Sequence, residues 1–363
     1  MRILWLNWKD IEHPEAGGAE VYTHEIARRL AKNGHEVTLF TSSFPRSKEK
    51  TEINGVTVIR KGKIVGLLNT VYSYAKRFYR QHEGEFDIII DEINTRPFLT
   101  PKYARIPVVA LIHQLAVEFW DYKTPFPVNI VGRKILEPYW LKSYQSIQTV
   151  TVSESTKKDL KQLGFKFIEV VYNGLDREAL KEVPEKYETF TAVFVGRMTP
   201  TKKPEDAIRA FLKFNNGKLL MVGQGELLEK LKRKYSTGRV EFKGFVPSNE
   251  RDEFMKKAHV ILVPGIREGW GRVVIEANAF GTPAIGYNVP GLRDSIRHGY
   301  NGLLCEPTPK AMSETLERLY EDEGLRKRLS KNALEWAKKF SWNESAEKFE
   351  RILKSVVGER NGE

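Results

Sequence analysis

The stretch Pro264-Gly265-Ile266-Arg267-Glu268-Gly269-Trp270-Gly271-Arg272-Val273-Val274-Ile275-Glu276-Ala277-Asn278-Ala279-Phe280-Gly281-Thr282-Pro283-Ala284-Ile285 decides the fold. The apolar run Val260 to Val263 just before it reads as a buried strand. Pro264 and Gly265 end that strand, and glycines at 265, 269 and 271 surround Glu268, so the backbone there can approach a ligand closely. From about Arg272 to Phe280 the pattern predicts a helix, closed by Gly281 with Pro283 beyond. Strand, glycine loop and helix N-terminus together form a geometry that suits anions and nucleotides. Glu268 in the loop and Glu276 in the helix can face different parts of one ligand. A helix cap and a solvated face residue are the plain structural explanation of such a pair, so its meaning depends on what else the chain brings to it.

Working outward, 363 residues suggest two domains. The hydrophobic share, 41%, is enough for ordinary cores. The one cysteine, Cys305, excludes a disulfide framework and a cysteine-based zinc site, and suits a reducing, cytoplasmic setting. Met1 to Trp8 reads as a first strand and is too short for a signal peptide. No apolar run is long enough for a transmembrane helix. The formal charge is +12, from 59 Lys and Arg against 47 Asp and Glu. That balance fits a highly charged soluble surface or an anionic partner. The basic residues are dispersed and carry no nucleic-acid-binding motif, so no nucleic acid is expected.

In the first half, residues 2–7 form a strand, a loop carries Gly17-Gly18-Ala19-Glu20, and a helix runs from about Ala19 to Asn33 before a strand at Val37 to Phe40. The Gly17-Gly18 pair is not a dinucleotide fingerprint, but it stands between strand and helix where a phosphate can be met. Residues 51–60 alternate like one strand. Residues 62–81 look like a basic amphipathic helix, either packed on the sheet or lying on an anionic membrane. Strands at Phe86 to Ile90 and Pro107 to Ile112 end on Asp91-Glu92 and His113-Gln114. A lone histidine is more often structural, yet its place at a strand end makes ligand contact an equal prospect. The aromatic stretch 118–144 reads as an acceptor-site lid or as ordinary packing. Residues 177–189 are charged, carry Pro184 and read as the linker.

A second α/β set follows. A strand at Thr191 to Val195 ends on Gly196-Arg197, with Lys202 and Lys203 shortly after, and Leu219 to Val222 ends on Gly223-Gln224-Gly225. Arg197 with Lys202 or Lys203 suits a diphosphate through charge-assisted hydrogen bonds. Glu268 and Glu276 suit hydroxyl donors. A diphosphate flanked by polyols would use all of them, which describes a nucleotide-sugar. The two cations would also neutralise a departing diphosphate without a metal ion. No Asp-x-Asp pair is present, and Asp91-Glu92, the nearest acidic cluster, is not taken as a site.

With these residues in order, the chain resembles glycosyltransferase family 4, retaining enzymes of the two-Rossmann-domain (GT-B) fold. The resemblance spans nearly the whole chain. It is carried by Gly17-Gly18-Ala19-Glu20, Ser153-Glu154, Asn173-Gly174-Leu175-Asp176, Gly196-Arg197 with Lys202, Gly223-Gln224-Gly225, and the Glu-x7-Glu of Glu268 and Glu276. It implies two Rossmann-like domains facing across a cleft. These are an acceptor-binding domain over 1–177, a nucleotide-sugar-binding domain over 178–341, and a C-terminal helix over 342–363 returning to the first. It further implies that Arg197 and Lys202 hold the donor diphosphate, Glu268 the transferred sugar and Glu276 the ribose. Gly17 and Gly18 would let the first loop reach phosphate or acceptor, and Gly269, Trp270 and Gly271 would offer backbone N–H groups. His113 would approach the donor sugar. Two departures are Lys203, where the family often has Gly, and Gln114, where many members have Asp.

The expected activity is transfer of a hexosyl-type sugar from a nucleoside diphosphate to a hydroxyl on a glycan, sugar or lipid-linked acceptor. No cofactor or metal is implied. An anionic membrane surface is a further partner class, with the protein peripheral on the cytoplasmic face. The competing readings are a sugar-nucleotide epimerase of the same fold, a phosphorylase, and a non-catalytic basic protein that binds membrane or nucleic acid.

Overall fold

The structure is a computed structural model that describes residues 1–65 and 68–361. The chain divides into two compact units, one of Met1–Gly174 with Ser341–Glu363 and the other of Leu175–Phe340. Each is an α/β unit built on a mainly parallel sheet.

The strands of the first unit are β1 (Arg2–Leu6), β2 (Glu36–Thr41), β3 (Lys50–Ile53), β4 (Val56–Arg60), β5 (Ile64–Val65), β6 (Leu68–Asn69), β7 (Ile88–Glu92), β8 (Val108–Ile112), β9 (Gln148–Thr151) and β10 (Ile168–Val170). Eight of them make one sheet in the order β10-β9-β8-β7-β1-β2-β4-β3, parallel except for the β3–β4 pair. Helices cover both faces of such a sheet, which is why Ile3 to Leu6, Ile88 to Ile90 and Val109 to Ile112 are unbroken apolar runs, all but fully buried. Strand order reverses between β1 and β7, which pair directly. Crevices at such reversals, at the strands' C-terminal ends, are where open α/β sheets bind ligands.

Two expectations change here. Residues 51–60 are not one strand: Asn54 (φ 51°) and Gly55 (φ 83°) are both left-handed and turn the chain into the β3–β4 hairpin. An Asn-Gly pair supplies this geometry at least cost. The helix expected over 62–81 spans only Val71–Gln81 and is preceded by the short β5–β6 hairpin, with residues 66 and 67 outside the described residues. Gly62 is left-handed at φ 87°, and the Asn69 side chain accepts from the Val71 N–H, so the helix starts there. Its apolar face, Val71, Ala75, Phe78 and Tyr79, is buried in the core of the unit and is not presented to a membrane.

The C-terminal helix Trp342–Asn361 belongs to this first unit. Phe349 stacks on Trp5 of the central strand with ring centroids 5.4 Å apart, and Trp342 meets Tyr22 edge-on at 5.7 Å. A Cβ on Gly174 would fall 2.2 Å from the Trp342 nitrogen, so glycine is required for that approach. The Glu350 carboxylate joins the helix to Asn33 (2.7 Å) and His35 (3.1 Å), with Lys354 one turn on. Burial works to raise its pKa, but the hydrogen bonds from Lys354, Asn33 and His35 outweigh it and hold it at about 2, against an ordinary 4.5. A carboxylate depressed in the folded state contributes stability that is complete above the unfolded value and is lost as pH falls through the folded one. Helix docking is therefore expected to loosen between pH 4.5 and about 2. Hydrogen exchange along 342–358 at pH 7 and pH 3 measures this, and Glu350→Gln is expected to flatten the difference.

The second unit contains β11 (Thr191–Val195), β12 (Lys218–Val222), β13 (Val240–Gly244), β14 (Val260–Val263), β15 (Ala284–Tyr287) and β16 (Gly302–Cys305). Their order, β13-β12-β11-β14-β15-β16, is wholly parallel and reverses between β11 and β14. The charged segment at 177–189 is not a free linker, because it packs on this unit. The Leu180 and Tyr187 N–H groups donate to the Ala279 and Lys257 carbonyls. The Lys186 ammonium reaches the Lys256 and Phe280 carbonyls and the Thr282 hydroxyl at 2.8, 3.3 and 2.8 Å. It thereby satisfies carbonyls that helix C-termini leave open, and burial lowers its pKa to about 7. Among the described residues, no helix is long and apolar enough to cross a membrane.

Candidate functional site

In the second unit the residues singled out from the sequence collect at the strand reversal. The loop after β11 turns at Gly196 and passes through a short 3-10 turn, Pro200–Lys202. It is tied to its neighbours through the backbone: the Met198 N–H donates to the Gln224 carbonyl at 2.8 Å, and the Ile266 N–H donates to the Thr201 carbonyl at 3.1 Å. A Cβ on Gly223 would lie 1.9 Å from the Gly196 carbonyl oxygen, so this packing of loops needs a glycine. The loops after β11, β12 and β14 therefore form one fixed platform.

On that platform the Lys202 ammonium contacts both oxygens of Glu268, at 2.5 and 2.7 Å. Both side chains remain partly open, with 32% and 13% of their surface exposed. Lys203 turns the other way, toward Asp206 at 3.5 Å, and its backbone is left-handed (φ 47°, ψ 50°). A left-handed position costs a side-chain-bearing residue about 1 kcal/mol and costs glycine little, which accounts physically for a glycine preference at this point. Lys202 is thus the lysine of the pair that faces Glu268. Arg197 is exposed, and no described side chain engages its guanidinium.

Glu276 lies one turn into the helix that follows the Glu268 loop and is held by Arg272 at 2.9 Å, which also reaches Asp176 at 3.3 Å. That helix is shorter than expected, Arg272–Asn278. Gly281 at φ 66° closes it, with the Thr282 N–H reaching back to the Ala277 carbonyl. Gly271 is left-handed at φ 82°. The Trp270 ring is 3% exposed and packs edge-on against Phe340 at 5.1 Å, so this residue presents backbone rather than indole.

One residue here was not singled out from the sequence. A Cβ on Gly291 would sit 1.9 Å from the Glu268 carbonyl oxygen, and Gly291 has φ 82°. The Glu268 N–H is bonded to the Pro290 carbonyl at 3.1 Å. The 290–291 turn therefore sets where Glu268 stands. Gly291→Ala is expected to displace the Glu268 loop and to lower turnover strongly while leaving the sheet intact, which parallel activity and far-UV circular dichroism measurements would check.

In the first unit Gly17 is the N-cap of helix Gly18–Lys32, and its N–H donates to the Glu20 carboxylate at 2.6 Å, the glutamate half of a capping box. Lys9 backs this turn, 3.6 Å from the other Glu20 oxygen. Gly18 is exposed at the helix start. His113 stands at the end of β8 and is 8% exposed, with the Tyr22 ring of that same helix edge-on at 5.1 Å. The structure thus brings the glycine loop's helix and the histidine together.

Glu92 is the second residue not singled out. Its carboxylate, 1% exposed, accepts from Trp5 Nε1 at 2.8 Å and Thr23 Oγ1 at 2.5 Å, and its other oxygen lies 3.1 Å from His113 Nε2. An acceptor-only carboxylate there places the ring proton on Nε2 and fixes the imidazole plane. Its neighbour Asp91 points to the opposite face of β7, bonded to Thr100 and Tyr144. Alternation along the strand divides the pair into one structural carboxylate and one that orients His113.

Comparison with known proteins follows these halves. Residues 16–179 match the family described as Glycosyltransferase Family 4, and residues 176–336 match Glycosyl transferases group 1. An uncharacterised glycosyltransferase of Methanocaldococcus jannaschii is 27% identical, with 98% of this chain and 99% of that protein covered. Among solved structures, sucrose-phosphate synthase from Thermosynechococcus elongatus superimposes with a TM-score of 0.81 at 20% identity, covering 98% of this chain and 99% of that one. HepE of Anabaena, in complex with UDP-glucose, gives 0.73 at 19% identity, covering 98% and 100%.

Proposed function

The chain belongs to the family 4 glycosyltransferases and has their GT-B fold, and from that premise we propose that it moves a hexosyl-type sugar from a nucleoside-diphosphate sugar to an acceptor hydroxyl, with retention and without a metal ion. The observation that carries this reading is the Lys202–Glu268 pair at the β11–β14 reversal, with Arg197 exposed earlier on the loop that carries Lys202. A diphosphate sugar offers each member of that pair its own partner. The ammonium turns to phosphate oxygens, and the carboxylate accepts from sugar hydroxyls. Binding then exchanges one ion pair for two sets of charge-assisted bonds. The related HepE structure holds UDP-glucose, which supports a donor of this class.

In the step itself the bond from the anomeric carbon to the diphosphate oxygen breaks, and a bond to the acceptor oxygen forms on the same face. The acceptor proton passes to the departing phosphate oxygen, so no protein nucleophile is assigned. Arg197 and Lys202 stabilise the charge that grows on the diphosphate, the largest kind of contribution in reactions of this type. Backbone N–H groups of Gly269 to Gly271 are proposed to add to it. Glu276 is proposed to take the ribose hydroxyls with the oxygen that Arg272 leaves open. His113, with its ring set by Glu92, is the candidate of the first unit, and Gly17 and Gly18 are proposed for phosphate or acceptor. The acceptor is a glycan, a free sugar or a lipid-linked sugar.

The test is incubation of the chain with UDP-, GDP- and ADP-hexoses and an acceptor panel in the presence of EDTA. Free nucleoside diphosphate and a product with the donor's anomeric configuration, read by proton NMR, are expected. Interconversion of donor sugars without nucleoside diphosphate release would instead assign an epimerase.

A further inference from the structure

The stretch 126–144 of the first unit turns a row of large apolar side chains outward while its one carboxylate is buried. Three short pieces run end to end, Val128–Val131, the π-turn Gly132–Leu136, and Glu137–Leu141. The π-turn adds one residue to its turn and so decides which side faces in. The inward positions are Gly132, Glu137, Leu141 and Tyr144. Trp120 fixes this choice: a Cβ on Gly132 would lie 2.2 Å from the Trp120 ring, and Glu137 accepts from Trp120 Nε1 at 2.9 Å and from the Ala116 N–H at 2.7 Å. A carboxylate is thereby locked inside, while Val128, Val131, Ile135 and Tyr139 line the outer face. Ile135 is 59% exposed and Tyr139 62%, and Phe126, between two prolines at the head of the stretch, is 78% exposed. Scattered exposed apolar residues are ordinary, but a row at helical spacing marks an interaction surface.

We propose that this face docks on an anionic lipid surface. Charge complementarity selects that partner. Lys134 and Lys142 stand exposed on the same outer face, and Lys102 lies 5.2 Å over the Tyr139 ring. Arg96 extends the rim, between the Tyr72 and Trp140 rings. The one acidic side chain of the three pieces, Glu137, is buried, and Asp121 nearby is paired with Arg133. An apolar row with aromatic side chains and a basic rim is the arrangement of interfacial helices, in which the apolar face sinks to the headgroup boundary and the cations meet lipid phosphate. A second copy of this chain would set the same basic rim against itself. The proposal is independent of which sugar is transferred and relocates the membrane-facing surface from 62–81, whose apolar face is spent on the core.

Flotation of the full chain with phosphatidylglycerol–phosphatidylcholine vesicles tests it, with phosphatidylcholine vesicles as the other arm. The chain is expected to float with the anionic vesicles only. Ile135→Ser with Tyr139→Ser is expected to abolish flotation, and Lys134→Glu is expected to weaken binding by about fivefold or more. All three side chains are exposed, and an unchanged melting temperature would confirm that the variants fold. Absence of flotation with anionic vesicles, or flotation unaltered in the double variant, would overturn the proposal. So would a dimer in light scattering that the double variant dissociates, since the face would then belong to a second copy.

Discussion

Lys202→Ala is expected to lower kcat/KM for sugar transfer by about 10²–10³-fold, the cost typical of removing one group that stabilises charge in a transition state. Two effects combine. The substitution removes an ammonium proposed to meet the departing diphosphate. It also leaves Glu268, now bonded to that ammonium through both oxygens, as an uncompensated anion where the donor's phosphates are to arrive. Glu268→Gln keeps an acceptor for sugar hydroxyls and frees the lysine, so its loss is expected to be smaller. Lys203→Gly is the control. Its ammonium faces Asp206, and its left-handed backbone suits glycine, so transfer should persist and stability should not fall. Steady-state kinetics on the three variants gives the ordering. Equal activity of Lys202→Ala and the parent chain would remove Lys202 from the site.

The second large effect concerns stability. Phe349→Ala is expected to destabilise the first unit by about 3–5 kcal/mol, the range for truncating a buried aromatic ring. The Phe349 ring is fully buried and stacked on Trp5, whose indole N–H is also bonded to Glu92. Loss of that ring opens a cavity against the central strand and loosens the frame that fixes His113. Denaturant unfolding followed by tryptophan fluorescence and by hydrogen exchange in β1 measures it. A loss confined to fraying of the terminal helix, with β1 protection unchanged, would show that the helix is an accessory rather than part of the core.

How much of this was legible in the sequence depends on the range of the signal. The strand at 260–263, the glycines around Glu268 and the closure of the following helix at Gly281 are local signals, and the structure has them in place. The contact of Lys202 with Glu268 is not local. The two are far apart in the chain, and they meet because β11 lies beside β14, a fact of strand order. The sense of Lys203 also required the backbone angle. Glu92 had a local signal that was passed over, since neighbours on a strand face opposite sides and Asp91-Glu92 need not act as one cluster. The Asn54-Gly55 hairpin was equally readable. The exposed apolar face at 128–144 was not, because a single π-turn sets its register and no composition reveals that turn.

The most direct measurement of the central claim is calorimetric titration of the intact chain with UDP, GDP, ADP and their hexose derivatives, repeated on the Arg197→Ala, Lys202→Ala double variant. One nucleotide series is expected to bind the parent chain and to lose its binding in the double variant, whose fold is retained. Absence of binding by every nucleotide sugar, or equal binding by the parent chain and the double variant, would contradict a diphosphate site at the β11–β14 reversal.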